Sequence, residues 1–444
     1  MSFPRYPKYK VTGIEWLGDV PEHWEVRRLR QIGPILKGSG GSKEDVVETG
    51  LPCVRYGDLY TTHQFFIRQA RTNISETRIK DYFEIHFGDV LFAASGEDIE
   101  EIGRSAVNLI EGVAYCGGDV IVLRPSVPNF PAFLGYSADS RIAKAQKASM
   151  GRGTTIKHIY PSELKGLILP FPPPDEQIRV ATFLGRETAK IDALVGEQRR
   201  LIGLLKEKRR AVISHAVTRG LDPHTPIKAS GIEWLGDVPS HWEVGRMANV
   251  FREVAESGVG DLPILSVSIH HGVSDKEFNA EEMDRKVTRS DDRSKYKRVA
   301  PGDLVYNMMR AWQGGFGTVT VEGMVSPAYV VARPKTSITT AYVEHLLRTP
   351  QAIEQMRRYS RGITDFRLRL YWDEFRNIQI PLPPEQEAVE ICRAIKSMDN
   401  SFNELTAEAE RAIQLLQERR AALISAAVTG KIDVRDIRDQ QLTK

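Results

Sequence analysis

A chain of 444 residues is longer than one hydrophobic core can organise, so two or more domains are expected. The 61 Lys and Arg against 58 Asp and Glu leave a net charge of +3, too small to announce a nucleic-acid partner by itself, so only the placement of charge is informative. Cys53, Cys116 and Cys392 are too dispersed for a metal cluster, and their odd count argues against a disulfide framework; no apolar run is long enough to cross a membrane and MSFPRYPKYK lacks a secretory core, so a soluble, cytoplasmic protein is expected.

Residues 13–26 read GIEWLGDVPEHWEV and residues 231–244 read GIEWLGDVPSHWEV, with one difference in fourteen positions. Trp16, Trp24, Trp234 and Trp242 offer aromatic binding surfaces, but the simpler expectation is that they anchor this segment to the globule behind it. From Arg27 to about Met150 short strand-like runs follow, LPCVRY, GDVLFAAS and DVIVLRP, bounded by Gly, Asp and Pro. A second globule repeats the plan with LPILSVSI, GDLVYNMM and AYVVARP. Each passes into a helical stretch, Asp139 to Ser149 and Tyr342 to Tyr359. Between these landmarks the two globules share little sequence. A nearly identical frame therefore carries two dissimilar inserts, as expected if the frame does one job twice while the inserts read two different things.

Basic residues gather at the end of each globule. From Arg141 to Lys157 the first copy carries Arg141, Lys144, Lys147, Arg152 and Lys157 and no acidic residue; from Arg357 to Arg369 the second carries Arg357, Arg358, Arg361, Arg367 and Arg369 against Asp365 alone. A single strip of this kind is as readily a solvated surface. Its recurrence favours a polyanion, whose phosphates such residues would neutralise in a salt-sensitive, sequence-independent way. Gly151, Gly153, Thr154 and Thr155 add a loop with hydroxyl donors, matched by Gly362 and Thr364.

A proline cluster, Pro170 to Pro174, then opens a helical pattern that runs from Asp175 to about Thr218 and recurs 211 residues later, with Gly151 falling on Gly362 and Pro173 on Pro384. Heptad spacing predicts an apolar stripe of Leu184, Ile191, Leu194, Leu201, Leu205 and Val212 in the first helix. Ile395, Met398, Phe402, Leu405, Ala412, Leu416 and Leu423 form its counterpart in the second. Gly185, Gly196 and Gly203 each cost the first helix roughly 1 kcal/mol relative to alanine, so packing must hold it straight. The expectation is an intramolecular, antiparallel two-helix coiled coil, a rod of roughly 60 Å at about 1.5 Å per residue.

No catalytic constellation is found. GSGGSK at 38–43 is not a phosphate loop, Glu163 and Lys165 lack the aspartate of a nuclease motif, His270 and His271 have no further ligands, and the acidic run Glu97, Asp98, Glu100 and Glu101 reads as a solvated loop. No adenine-methyltransferase motif of the N-P-P-[YF] or F-x-G-x-G type is present.

These residues resemble one known family. GIEWLGDVP-x-HWEV, LILPFPPPDEQ and IQIPLPPEQE, RRAVISHAVTRG and RRAALISAAVTGK, with NMMRAWQGGFG and VSPAYVVARP, are similar to the specificity subunits of type I restriction–modification enzymes, and the likeness spans essentially the whole chain. The resemblance implies an α+β architecture with an internal pseudo-twofold repeat. Its parts would be a first target-recognition domain at 1–169, a spacer helix at 170–219, a second target-recognition domain at 220–380, and a second spacer helix with C-terminal tail at 381–444. It implies a non-catalytic chain that reads a bipartite sequence of double-stranded DNA. Methyl transfer from S-adenosylmethionine would come from two methyltransferase subunits, and translocation and cleavage with ATP and magnesium from restriction subunits; no membrane is involved. The candidate DNA contacts are Arg141, Lys144, Lys147, Arg152, Thr154, Thr155 and Lys157, with Arg358, Arg361, Thr364, Arg367 and Arg369. One departure is that PPEQEA displaces the Glu–Gln pair by two positions relative to PPPDEQ. The other reading left open is a coiled-coil adaptor whose two globules bind proteins.

Overall fold

The computed structural model describes residues 3–258, 262–269, 272–276, 295–336, 339–362 and 368–436. His270, His271, Thr364 and Arg367 lie outside them. The chain divides into two compact units, residues 1–199 with 410–444 and residues 200–409, so each long helix gives one part of its length to each unit.

In the first unit the opening motif leads into Glu25–Arg28, which pairs antiparallel with Ile168–Phe171, the strand that ends in the proline cluster. What lies between is built on a five-stranded sheet in the order Ile35–Lys37, Val120–Leu123, Val90–Ala93, Ser105–Asn108, Phe65–Ile67. The predicted runs GDVLFAAS and DVIVLRP are its centre, and Val90–Ala93 and Val120–Leu123 are buried throughout, as continuous apolar runs require. A second five-stranded sheet, containing Leu51–Val54 and Ala114–Cys116, lies beyond it.

The second unit repeats the closure, with Glu243–Arg246 on Gln379–Leu382. Its sheet runs Phe251–Val254, Tyr329–Pro334, Leu304–Asn307, Phe316–Thr318, which is the order of the first four strands of the first unit. Inserts with little common sequence therefore share a topology. They also share a lock. Asp89 and Asp303, each 1% exposed, precede the central strand and take Arg124 at 2.8 Å and Arg333 at 2.9 Å from the neighbouring strand. Each carboxylate also caps a backbone amide three residues earlier, His86 and Ala300, so the buried charge is paired and hydrogen-bonded.

The predicted long helices are Pro174–Arg219 and Glu385–Val428. In the first unit Val180, Ala181 and Leu184 pack in one core with Ile424, Ala427 and Val428, and Asp192 pairs with Arg420 at 2.9 Å. In the second, Ala216 and Val217 join Ala388, Ile391 and Ile395, and Arg209 pairs with Asp399 at 2.8 Å. Numbers rise along one helix as they fall along the other, so within each unit the pair is antiparallel.

The predicted stripe needs correction. Leu184, Ile191 and Ile395 are buried and Leu205, Val212, Met398, Phe402, Ala412, Leu416 and Leu423 are partly buried, but Leu194, Leu201 and Leu405 are 52%, 43% and 48% exposed. Val195, four residues after Ile191, takes the buried place assigned to Leu194, and Ile202 is more covered than Leu201. A leucine three residues on lies 300° around a 3.6-residue turn and one four residues on lies 400°; both flank the same face, and spacing alone chose the wrong side.

Candidate nucleic-acid interface

The opening motif is an anchor. Trp24 and Trp242 are fully buried, and their indole nitrogens donate to Glu176 at 2.9 Å and Glu387 at 3.0 Å in the first turns of the long helices. His23 and His241 reach the same carboxylates at 2.6 and 2.7 Å. Tyr6 adds a third contact to Glu176, and burial with that carboxylate beside it pushes the Tyr6 phenol far above its usual range. The displaced Glu–Gln pair of the second copy is thereby resolved, because Glu387, not Glu385, fills the place of Glu176. Trp16, by contrast, is 43% exposed and Trp234 partly buried.

The basic strip of the first unit is the helix Arg141–Met150 and the turn after it. Ser140 caps the helix by accepting from the Ala143 amide at 3.3 Å, and Thr349 caps Pro350–Tyr359 by accepting from Ala352 at the same distance. These helices correspond at an offset of 209 residues, whereas Tyr160 and Tyr371 and all that follows correspond at 211. Gly362 is thus the counterpart of Gly153, not of Gly151. Both have positive φ, 115° and 157°, and a Cβ on Gly153 would meet the Ile156 carbonyl oxygen at 2.2 Å, so a side chain is excluded there.

Each turn is closed at its base by one antiparallel backbone pair. Arg152 exchanges both backbone hydrogen bonds with His158, at 2.9 and 2.7 Å, and Arg361 exchanges both with Arg369, at 2.9 Å each. The return strand bonds the globule through Ile159 to Ala94 in one unit and Leu370 to Met308 in the other. Arg152, 73% exposed, pairs with Glu163 at 3.3 Å; Arg361, 74% exposed, pairs with Glu374.

The candidate cations separate into three kinds. Arg141, Arg152, Arg358, Arg361 and Arg369 are exposed, together with Thr154 and Thr155. Lys144 is half-buried between Glu101 and Asp139, and Lys157 folds back to donate to the Gly153 carbonyl at 2.8 Å. Lys147 is not at the surface at all. Its ammonium is fully buried, donating to the carbonyls of Gly103 and Ala138 at 2.6 and 2.9 Å and to Asp139 at 3.3 Å, and burial lowers its pKa against the opposing pull of Asp139. It holds the fold and is withdrawn as a DNA contact. No acidic residue lies between Arg141 and Lys157, yet Asp139 and Glu163 from just outside that span and Glu101 from a distant loop all reach it.

A groove of about 1010 Å³ in the first unit is lined by Arg141, Lys144, Arg199 and Arg420, and equally by Glu100, Glu101, Asp139 and Asp192. Its cations are matched by as many carboxylates, and the hairpin arginines, about three-quarters exposed, are the more accessible candidate. Among the described residues no group of His, Cys, Asp and Glu has the arrangement to hold a metal, and no helix is long and apolar enough to cross a membrane. Burial pushes the Cys53 thiol up to about 12, which leaves it an inert packing residue.

Glu163 and Glu374 were missed by sequence reasoning, as was the clamp on Glu176 and Glu387. The signal existed, because both pairs keep the 211-residue offset.

Residues 21–200 match the type I restriction modification DNA specificity domain. The chain is 21% identical over 437 residues to the EcoKI type I restriction enzyme specificity subunit of Escherichia coli (strain K12), covering 94% of this chain and 90% of that one. A chain from a solved structure of type I R-M system assembly and conformational transition superposes with a TM-score of 0.62 at 18% identity, over 92% of this chain and 98% of that one. The HsdS subunit from Thermoanaerobacter tengcongensis superposes with a TM-score of 0.52 at 19% identity, over 93% and 98%. Duplicated frame, the same closure of each unit and these likenesses agree: over nearly its whole length the chain is similar to the specificity subunits of type I restriction enzymes, and residues 21–200 match their DNA specificity domain.

Proposed function

We propose that this chain reads an asymmetric, two-part DNA sequence, one part with each unit, and carries methyltransferase subunits to it without performing catalysis itself. The observation that carries the reading is a frame whose Trp–His–Glu clamp and Arg–Glu pair occur twice, around two inserts that share a sheet and little sequence. Identical frames suit two identical partner subunits, and differing inserts suit differing half-sites. In this reading S-adenosylmethionine belongs to the methyltransferase partners, and ATP and magnesium to restriction subunits. The long helices act as the spacer between half-sites.

Methyl-transfer assays of the purified chain, alone and with its methyltransferase partner, test the first part. Transfer is expected only in the combination, and transfer by the chain alone refutes the reading. Methylome mapping tests the second, with a split, asymmetric motif expected. One heptad added to each long helix lengthens a spacer by about 10.5 Å, which at about 3.4 Å per base pair widens the gap by about three. An active variant with an unchanged gap shows that the helices do not set the spacing. Binding that ignores salt would instead favour the protein-adaptor reading.

A further inference from the structure

Glu163 and Glu374 present a paradox for a DNA-binding surface. Each places a carboxylate against an exposed arginine, although a carboxylate cancels the charge that attracts phosphate. Each is itself mostly covered, 17% and 12% exposed, so the arrangement also carries a desolvation cost. One oxygen of Glu374 is buried with no hydrogen-bond donor. If the arginines served only as diffuse positive charge, these glutamates would weaken the site twice over. Their value must lie in geometry. A guanidinium tethered at one terminal nitrogen by a carboxylate, as Arg152 is by Glu163 at 3.3 Å, loses part of its freedom and keeps the remaining N–H groups of its planar fork available to phosphate oxygens.

The duplication says what that contact is. The hairpin base recurs in full: a helix capped by Ser140 or Thr349, an Arg–Gly step with positive φ at the glycine, a two-bond ladder, and a glutamate from the short helix Pro161–Leu164 or Trp372–Phe375. The tip does not recur, since the span from Arg361 to Arg369 is two residues longer than that from Arg152 to His158. Two half-sites of different sequence have only the sugar–phosphate backbone in common, so a DNA contact made by the same Arg–Gly step and glutamate in both units is suited to the backbone.

Resting on the proposed function, we infer that Glu163 and Glu374 are positioning residues that hold Arg152 and Arg361 for an oriented, sequence-independent phosphate contact in each half-site. The two arginines register the units on the duplex, and the unequal hairpin tips are free to differ.

The test exploits a sign. Glu163→Gln raises the net charge of the protein by one, so a purely electrostatic surface binds DNA more tightly. Positioning requires the opposite. In the full-length chain with its methyltransferase partner, Glu163→Gln and Glu374→Gln should each weaken binding to a random-sequence duplex roughly three- to tenfold, with the salt slope shallower by up to about 0.9. The KM for DNA should rise while kcat holds. In an Arg152→Ala background Glu163→Gln should instead strengthen binding, because only the charge effect is left. Arg152→Lys, which keeps the charge and loses the fork, should reproduce the loss if either glutamine variant fails to fold. Unchanged or tighter binding by the glutamine variants, or full affinity in Arg152→Lys, overturns the inference. Wild-type protein that fails to bind duplex DNA refutes the functional reading itself.

Discussion

Two different sets of residues solve one problem beside the central sheet. In the first unit Asp139 accepts the Ser105 amide at 3.0 Å while Lys147 donates to the Gly103 carbonyl. In the second, Glu344 accepts the Thr318 amide at 2.8 Å while Arg348 donates to the Phe316 carbonyl at 3.0 Å. Both pairs satisfy polar backbone groups along the same strand of the shared sheet, which would otherwise be buried without partners. Yet Lys147 stands opposite Met356, and Asp139 opposite Arg348, at the 209-residue offset. The backbone fixes what must be supplied, and a lysine from one turn of a helix or an arginine from another can supply it. In the duplicated hairpin base the arginine, the glycine and the glutamate keep their type in both units, while His158 gives way to Arg369 and Ser140 to Thr349. Contacts internal to the fold can drift between the copies, as those of Lys147 and Arg348 do, or persist, as the Asp89–Arg124 and Asp303–Arg333 pairs do.

The comparison breaks most visibly at Lys147. Replacing it with methionine, the residue of the second unit, leaves the Asp139 carboxylate, 1% exposed, without its nearest cation and should cost about 3–5 kcal/mol. Arg348→Met, whose ion pair is more exposed at 28% and 21%, should cost about 1 kcal/mol or less from the pair itself. Denaturant unfolding of the two variants measures the difference, and equal costs would show the two arrangements to be energetically alike. The pH dependence has a definite sign. Burial lowers the Lys147 pKa in the folded state, so the unfolded chain binds more protons between that lowered value and the ordinary lysine value of about 10.4. Stability from this site therefore rises with pH across that window, and Lys147→Met should flatten the rise.

A smaller contrast lies in the clamps. Glu176→Ala removes the acceptor for Tyr6, His23 and Trp24, whereas Glu387→Ala removes it for His241 and Trp242 only. With about 1–3 kcal/mol for each buried group left unsatisfied, the first variant should melt at the lower temperature. A greater loss in Glu387→Ala would show that Tyr6 contributes nothing. The smallest effects concern helix phase: Val195→Ala should cost roughly 1–2 kcal/mol, and its exposed neighbour Leu194→Gln under about 0.5 kcal/mol, both read from thermal unfolding. The reverse order would restore the stripe expected from heptad spacing.

Much of the fold was legible because it is written twice. The repeated GIEWLGDVP-x-HWEV and proline clusters marked the frame, and GDVLFAAS and GDLVYNMM became central strands because buried strands carry long apolar runs. The candidate interface was legible in part. Arg152 and Arg361 are exposed as expected, but the fate of Lys147, Lys144 and Lys157 depended on Asp139, Glu101 and the Gly153 carbonyl. Of those partners Glu101 is brought to the strip by the fold, and Asp139 stands just ahead of it in sequence, with nothing in the spacing to say that Lys147 folds back onto it. The change of offset from 211 to 209 was hidden for a similar reason. A glycine matched a glycine, and only the backbone showed which of Gly151 and Gly153 turns as Gly362 does.

The pairing of Glu25–Arg28 with Ile168–Phe171, and of Glu243–Arg246 with Gln379–Leu382, has a consequence for how such a chain can change. Each insert leaves and rejoins the frame at hydrogen-bonded neighbours, so the frame sees it as a closed loop whose ends are already together. The first insert is seven residues longer than the second between these strands. The entropy of closing such loops grows only with the logarithm of length, and for this difference it is well under about 0.1 kcal/mol. Residues can be gained or lost inside either insert while the two strands that hold its ends stay in register, and the frame that receives it carries no record of its size.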